Sequence, residues 1–200
     1  MIDPHSSPQL ITGMRALAKG LFATGVNALS PVGSGKLHFH PKAAQLACLQ
    51  AVQDAAFEYC QTVVVTQPAI AGDAAISACE LLKLAEDADA IDGSVAIVLG
   101  RSKSGPCNKR LALNFALAAA TARLHRPWIF LSGMTGDQHC RYRSAGAIVD
   151  SGTCSWIWPL GRQPDGRTVD PTSLLAESGD LLLADRCASY AMNLDLILLA

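Results

Sequence analysis

Ser102, Lys103, Ser104, Gly105 and Asn108 are residue types that hold an anion, and they stand between an apolar run, Val95 to Leu99, and a long helical stretch. Lysine supplies charge, the hydroxyls and the amide supply hydrogen bonds, and Gly105 lets backbone approach closely. A helix starting near Asn108 adds free backbone N–H groups and the positive end of its dipole. The pattern points to a phosphate or carboxylate site. The bland alternative is an exposed β–α loop whose lysine is simply solvated.

A second dense polar set lies in SGMTGDQHCRYRSAG, Ser132 to Gly146, where Thr135, Asp137, His139, Arg141 and Arg143 crowd together in a chain that is only 16% charged. This segment follows the strand-like run Trp128 to Leu131, and ligands of open α/β sheets bind beyond the carboxyl ends of strands. Other chemistry-bearing residues read more plainly. GSGK at Gly33 to Lys36 lacks the GxxxxGK[ST] spacing, with Leu37 where a metal-binding hydroxyl belongs, so a turn is expected. His38 and His40 would share one side of an extended segment, but no third ligand stands nearby, and no metal centre is expected there. Asp150, closing the run AGAIVD, reads as a helix or turn cap rather than a reactive acid. Asn193 and Asp195 lie at the entry to the final apolar run, where a side-chain-to-backbone turn is expected.

Elements that position these residues follow from periodicity. Leu10, Met14, Leu17, Leu21, Val26 and Leu29 recur at helical spacing, and Pro41 to Cys60 is rich in alanine, leucine and glutamine with no glycine. TVVVT at Thr62 to Thr66 is a short buried strand. Ala74 to Glu86 continues as helix behind Asp73, and Asn108 to His125 forms another. Strands are expected at Val95 to Leu99, Trp128 to Leu131, Trp156 to Leu160, Asp180 to Ala184 and Leu194 to Leu199. AGAIVD fits helix or strand. This alternation predicts an α/β three-layer sandwich with a mostly parallel mixed sheet of about five or six strands. Residues 1–40 are expected to form an N-terminal helical extension and residues 41–200 one α/β domain.

Bulk properties exclude several classes. Half of the 200 residues are hydrophobic and the formal net charge is −1, so the chain is globular and carries no field to draw in nucleic acid or an anionic membrane. The start MIDPHSSPQL lacks an export pattern, and no apolar run reaches the roughly 18 residues of a membrane span. A cytoplasmic protein is expected. The seven cysteines are scattered without a CxxC pair, as reduced core residues would be.

Taken together, the segments resemble the MOFRL domain, the C-terminal part of the glycerate 2-kinase family whose members are also labelled hydroxypyruvate reductase. GPCNKRLAL at Gly105 to Leu113 is similar to the family's GRNQEFAL helix start, and AGDAA at Ala71 to Ala75 to its GE-containing turn. SGMTGDQHCRYRSAGAIVD is similar to its glycine-rich loop, and GDLLLADRCASYAMNLDLILLA to its ending. AGAIVD and GDLLL are the most specific matches. Met14 to Pro31 also resembles the very start of the family, most of whose larger N-terminal domain has no counterpart here.

The resemblance implies ATP-dependent, Mg²⁺-assisted phosphorylation of D-glycerate in a cleft between two domains, of which this chain supplies one wall. It carries over Asn108, Gly133, Gly136, Asp137 and Asn193, or Asp195 in its place, as contacts of a small organic acid or phosphate; residue type adds Ser102, Lys103, Gly105 and Thr135, and Lys36 or Lys103 would supply the charge. Departures from the pattern are equally informative. Arg110 replaces a glutamate, Thr135 the first aspartate of the loop and Arg143 a second, and arginine neither holds magnesium nor accepts a proton. Weak or absent kinase activity is therefore expected of the chain alone, with ATP and Mg²⁺ as cofactors only where activity survives. A separate nucleotide-binding chain or a homodimer would complete the cleft. The alternative is a non-catalytic module that binds a small anion or a protein partner.

Overall fold

Runs of β-branched and apolar residues favour extended backbone because their side chains crowd a helical turn and pack well on a pleated surface. In the computed structural model such runs form β1 (Thr62–Thr66), β2 (Val95–Ser102), β3 (Trp128–Thr135), β4 (Ser144–Asp150), β5 (Leu181–Leu183) and β6 (Met192–Leu199). Helices are α1 (Pro8–Ala28), α2 (Pro41–Phe57), α3 (Ala74–Asp89) and the short α4 (Pro171–Glu177). The structure describes residues 8–29, 41–66, 74–102, 124–135, 144–150, 152–153, 171–183 and 192–200. GSGK, His38 and His40, the Trp156 to Leu160 segment, and all of the Asn108 to His125 helix but its last two residues lie outside them. Leu124 and His125 belong to the irregular segment that leads into β3.

The six strands form one sheet in the order β1-β2-β6-β3-β4-β5. The α/β class and the mixed sheet agree with expectation, but the expected parallel majority does not hold. Among the described residues only β1 and β2 pair in parallel, and the other four pairings are antiparallel. Continuous apolar runs report burial on both faces, which parallel sheets share with any antiparallel sheet that helices cover twice. Strand β6 is such a case: the chain's last strand lies between β2 and β3, antiparallel to both, with all eight residues buried.

Side chains alternate between the two covering layers. Ala96, Val98, Ile129, Leu131, Leu194 and Leu196 meet α1 and α2, whose Met14, Ala18, Leu21, Cys48, Leu49 and Val52 complete that core. On the other face Ile97, Leu99, Phe130, Val149 and Ile197 pack with Leu81 and Ala85 of α3 and Leu175 of α4. This gives the three layers. Helix α1 lies over β3 and β6 and against α2, so it is integral to the first core.

An ion triad fixes α1 to the far strands. Arg15 donates from Nη1 to Asp150 Oδ2 and from Nη2 to Asp180 Oδ1, and Nη2 also reaches Ile148 O at 3.3 Å. Burial acts to lower the Arg15 pKa, but the hydrogen bonds and charges of Asp180 and Asp150 outweigh it and raise the guanidinium above its ordinary value. Asp150 is also the cap expected from sequence, since its Oδ1 accepts from the N–H of Gly152 at 2.7 Å and of Thr153 at 3.2 Å. The ambiguous AGAIVD run is strand β4. Gly146 in it has φ 154° and a bulge in the pairing with β5 beside it.

Candidate functional site

Strands β2 and β3 run in one direction while β6 and β4 run in the other. The carboxyl ends of β2 and β3 and the amino ends of β6 and β4 therefore share one edge of the sheet. Register aligns them closely: Ser102 pairs with Met192, which pairs with Thr135, and Arg101 pairs with Asn193, which pairs with Met134. The backbones of Ser102, Thr135 and Asn193 thus reach one short stretch at the middle of the sheet, but Ser102 and Thr135 share the register position of Met192, which belongs to the α1–α2 core, and Asn193 takes the alternate position. Lys103 and Gly136 follow Ser102 and Thr135 directly in the chain. They, with Gly105, Asn108, Asp137, Arg110 and Arg143, lie outside the described residues.

Two expectations about this edge need correction. The Ser132 to Gly146 segment is not loop at its ends, because β3 continues through Thr135 and β4 begins at Ser144; the glycines and serines there are tolerated by ladder bonds on both sides. Asn193 and Asp195 do not form a turn ahead of the last strand either. They are inside β6, which starts at Met192, held by pairing to two neighbours.

Polar residues inside a doubly covered strand carry a desolvation cost unless partnered. Asp195 and Ser132 are both fully buried, face each other across β6 and β3, and are joined by a hydrogen bond from Ser132 Oγ to Asp195 Oδ1. Asn193 is two residues from Asp195 and lies on the same face of β6 by strand alternation. It is 1% exposed, and its Oδ1 has no hydrogen-bond partner among the described residues. A buried amide oxygen left unpaired at a strand end is rare in native proteins, and it marks this end as unsatisfied without a further donor.

Gly133 belongs to the opposite face. A Cβ there would stand 2.3 Å from the Phe22 ring of α1, so close helix packing explains this glycine directly. The Arg15 triad is also elsewhere, since Asp150 pairs with Ile129 at the other edge of the sheet. So is a mostly apolar groove of about 780 Å³ along Leu10, Leu17 and Leu21 of α1 and the end of α2, which none of the expected site residues lines. Sequence reasoning missed the Ser132–Asp195 pair. Its one signal was a polar residue at alternate positions of two runs that otherwise read as apolar strand.

Cys48 and Cys60 are buried and free, in line with reduced core cysteines. Burial pushes the Cys48 thiol up to about 12 and raises that of Cys60 as well. Among the described residues, no cluster of three or more His, Cys, Asp or Glu side chains could hold a metal ion, and no helix is long and apolar enough to cross a membrane.

No protein-family model matches the sequence, and no curated protein matches it significantly. Solved structures do share its fold. The glycerate kinase of Thermotoga maritima superposes with a TM-score of 0.64 at 16% identity, over 85% of this chain and 44% of that one. The PH0495 protein of Pyrococcus horikoshii OT3 gives 0.62 at 14% identity, over 84% of this chain and 41% of that one. The chain has a glycerate-kinase-like fold and spans less than half the length of either protein.

Proposed function

We propose that the edge formed by β2, β6 and β3 binds a small hydroxy acid or its phosphate, in a MOFRL-like domain related to glycerate kinases. The observation that carries this reading is Asn193: a buried side chain whose oxygen has no partner among the described residues, at the end of the sheet where the backbones of β2 and β3 also finish. The Asn193 amide oxygen is an acceptor, so the ligand presents a hydroxyl donor to it. Lys103 and the backbone N–H groups of the Gly105 to Asn108 segment and of Gly136, which follow the ends of β2 and β3 in the chain, would supply the donors for its anionic end, and Asp137 would accept from a ligand hydroxyl. The superposed glycerate kinase supports the reading at the level of fold.

Phosphoryl transfer needs positioned charge and Mg²⁺ around the transferred group. ATP and Mg²⁺ belong to the proposal only where the 103–110 and 136–143 segments provide for them, and Arg110 and Arg143 stand where the family pattern has acids. We therefore assign binding to the chain and little or no transfer in isolation. Thermal-shift measurements with D-glycerate, hydroxypyruvate, phosphoglycerates and nucleotides test the binding; a ligand at about 100 times its Kd stabilises by about 2.7 kcal/mol. A coupled assay with D-glycerate, ATP and Mg²⁺ tests the chemistry. Ordinary turnover would refute the inactive reading, and silence with every ligand would leave the second reading, a protein-interaction module.

A further inference from the structure

The outer edge of the sheet at β1 carries a feature that the ligand site does not use. Thr62 donates its N–H to Ser94 O at 3.1 Å, and in the parallel ladder with β2 alternate residues point their backbone groups the same way. Thr62, Val64 and Thr66 thus turn toward β2, while Val63 and Val65 turn their N–H and C=O groups outward, where no described residue pairs with them. Exposed edges of this kind are usually blunted by a charge, a proline, a bulge or a cover. The strand TVVVT has no charge and no proline, and its register with β2 is unbroken.

We infer that β1 pairs with β1 of a second copy of this chain, antiparallel about a two-fold axis midway between the two Val64 residues. The strand is a palindrome, so the axis sets Val63 opposite Val65 and Thr62 opposite Thr66, and the Val–Val and Thr–Thr cross-strand pairs are of the favourable kind. Val63 and Val65 form the hydrogen-bonded pairs, which satisfy all their outward groups. Val64 meets its own copy in the closer, non-hydrogen-bonded geometry, with Cα atoms about 4.5 Å apart. Its side chain is the exposed apolar one of the strand, at 37%, and dimerisation covers it.

A second observation agrees. Helix α2 lies over β1 and β2, with α1 on its inner side. Ala55 lines the groove against α1, whereas Leu46 and Phe57, roughly three turns apart on one stripe, fall on the opposite flank. That flank faces the β1 edge, and both residues are more than half exposed. A two-fold axis perpendicular to the sheet keeps each copy's α2 on the same face, so the two apolar stripes approach one another. The pairing continues the sheet from six strands to twelve and leaves the β2–β6–β3 site of each copy open.

Sedimentation of the full chain and cysteine cross-linking test this. The wild type is expected at twice its 21.0 kDa mass at micromolar concentration. Val64→Cys places two thiols on the axis within disulfide range and should give a covalent dimer under mild oxidation, absent from the wild type. Thr62→Cys, distant from its own copy in this register, should not cross-link. Val64→Lys, which opposes like charges, should yield a folded monomer by circular dichroism. A monomeric wild type, a Val64→Cys chain that fails to cross-link, or a Val64→Lys chain that folds and stays dimeric would each overturn the inference. The cysteine variants decide it should Val64→Lys not fold.

Discussion

Replacing Arg15 by alanine removes the shared cation of Asp150 and Asp180, whose side chains are 6% and 4% exposed. Two carboxylates would remain buried without charge compensation, and breaking a buried ion pair in this way costs about 3–5 kcal/mol. Asp150 keeps the N–H groups of Gly152 and Thr153, and Asp180 Oδ2 keeps the Ser178 hydroxyl at 2.7 Å. The Arg15 side chain is itself 21% exposed, so solvent already screens part of the interaction. Both facts set the expected loss near the low end, at about 3 kcal/mol, which for a chain of this size lowers Tm by roughly 6–12 °C. Urea unfolding followed by circular dichroism measures it. The triple variant Arg15→Met, Asp150→Asn, Asp180→Asn removes all three charges, keeps an amide oxygen for the cap, and should recover most of the loss. A loss below about 1 kcal/mol in Arg15→Ala, or no recovery in the triple variant, would refute the claim that uncompensated burial sets the cost.

Other predictions follow from burial and backbone geometry. Cys48 has a folded-state pKa raised to about 12 from an ordinary value of 9.0, so its contribution to stability is full below pH 9 and is lost as pH rises toward 12. The unfolded chain sheds the proton first, and the slope is about 1.4 kcal/mol per pH unit, read from denaturant melts across that range. For the same reason Cys48 should resist iodoacetamide in the folded protein at pH 8 and react on unfolding. Gly146→Ala would set a Cβ 2.0 Å from Ser132 O at a φ of 154°, and should destabilise by at least about 2 kcal/mol in the same melts.

Much of the architecture was readable because local chemistry decided it. TVVVT is strand β1 to the residue, the Leu10 to Ala28 periodicity is α1, and Asp150 caps the turn after β4. What escaped was set by partners far along the chain. Strand direction depends on β6 entering between β2 and β3, and no residue of β6 declares this locally. Nothing local marks Arg15, because its two carboxylates lie 135 and 165 residues away. Asn193 and Asp195 read as turn residues because polar side chains in an apolar run suggest a break. Their place within a strand needs Ser132, 63 residues earlier, to partner the aspartate. The candidate edge was legible in part: Ser102, Thr135 and Asn193 were named from residue type and resemblance, and strand register brings their backbones to one end of the sheet, with Asn193 in the alternate position to the other two.

The central claim is that Asn193 is held unpaired for a ligand, and Asn193→Leu tests it most directly. Leucine has the same number and branching of side-chain heavy atoms and no polar atom, so the variant without ligand should be as stable as the wild type or more stable, by up to about 1 kcal/mol. Urea melts of both proteins with and without saturating D-glycerate should show ligand stabilisation in the wild type and none in the variant. Equal stabilisation of the two proteins, or a variant that is destabilised while binding is retained, would contradict it.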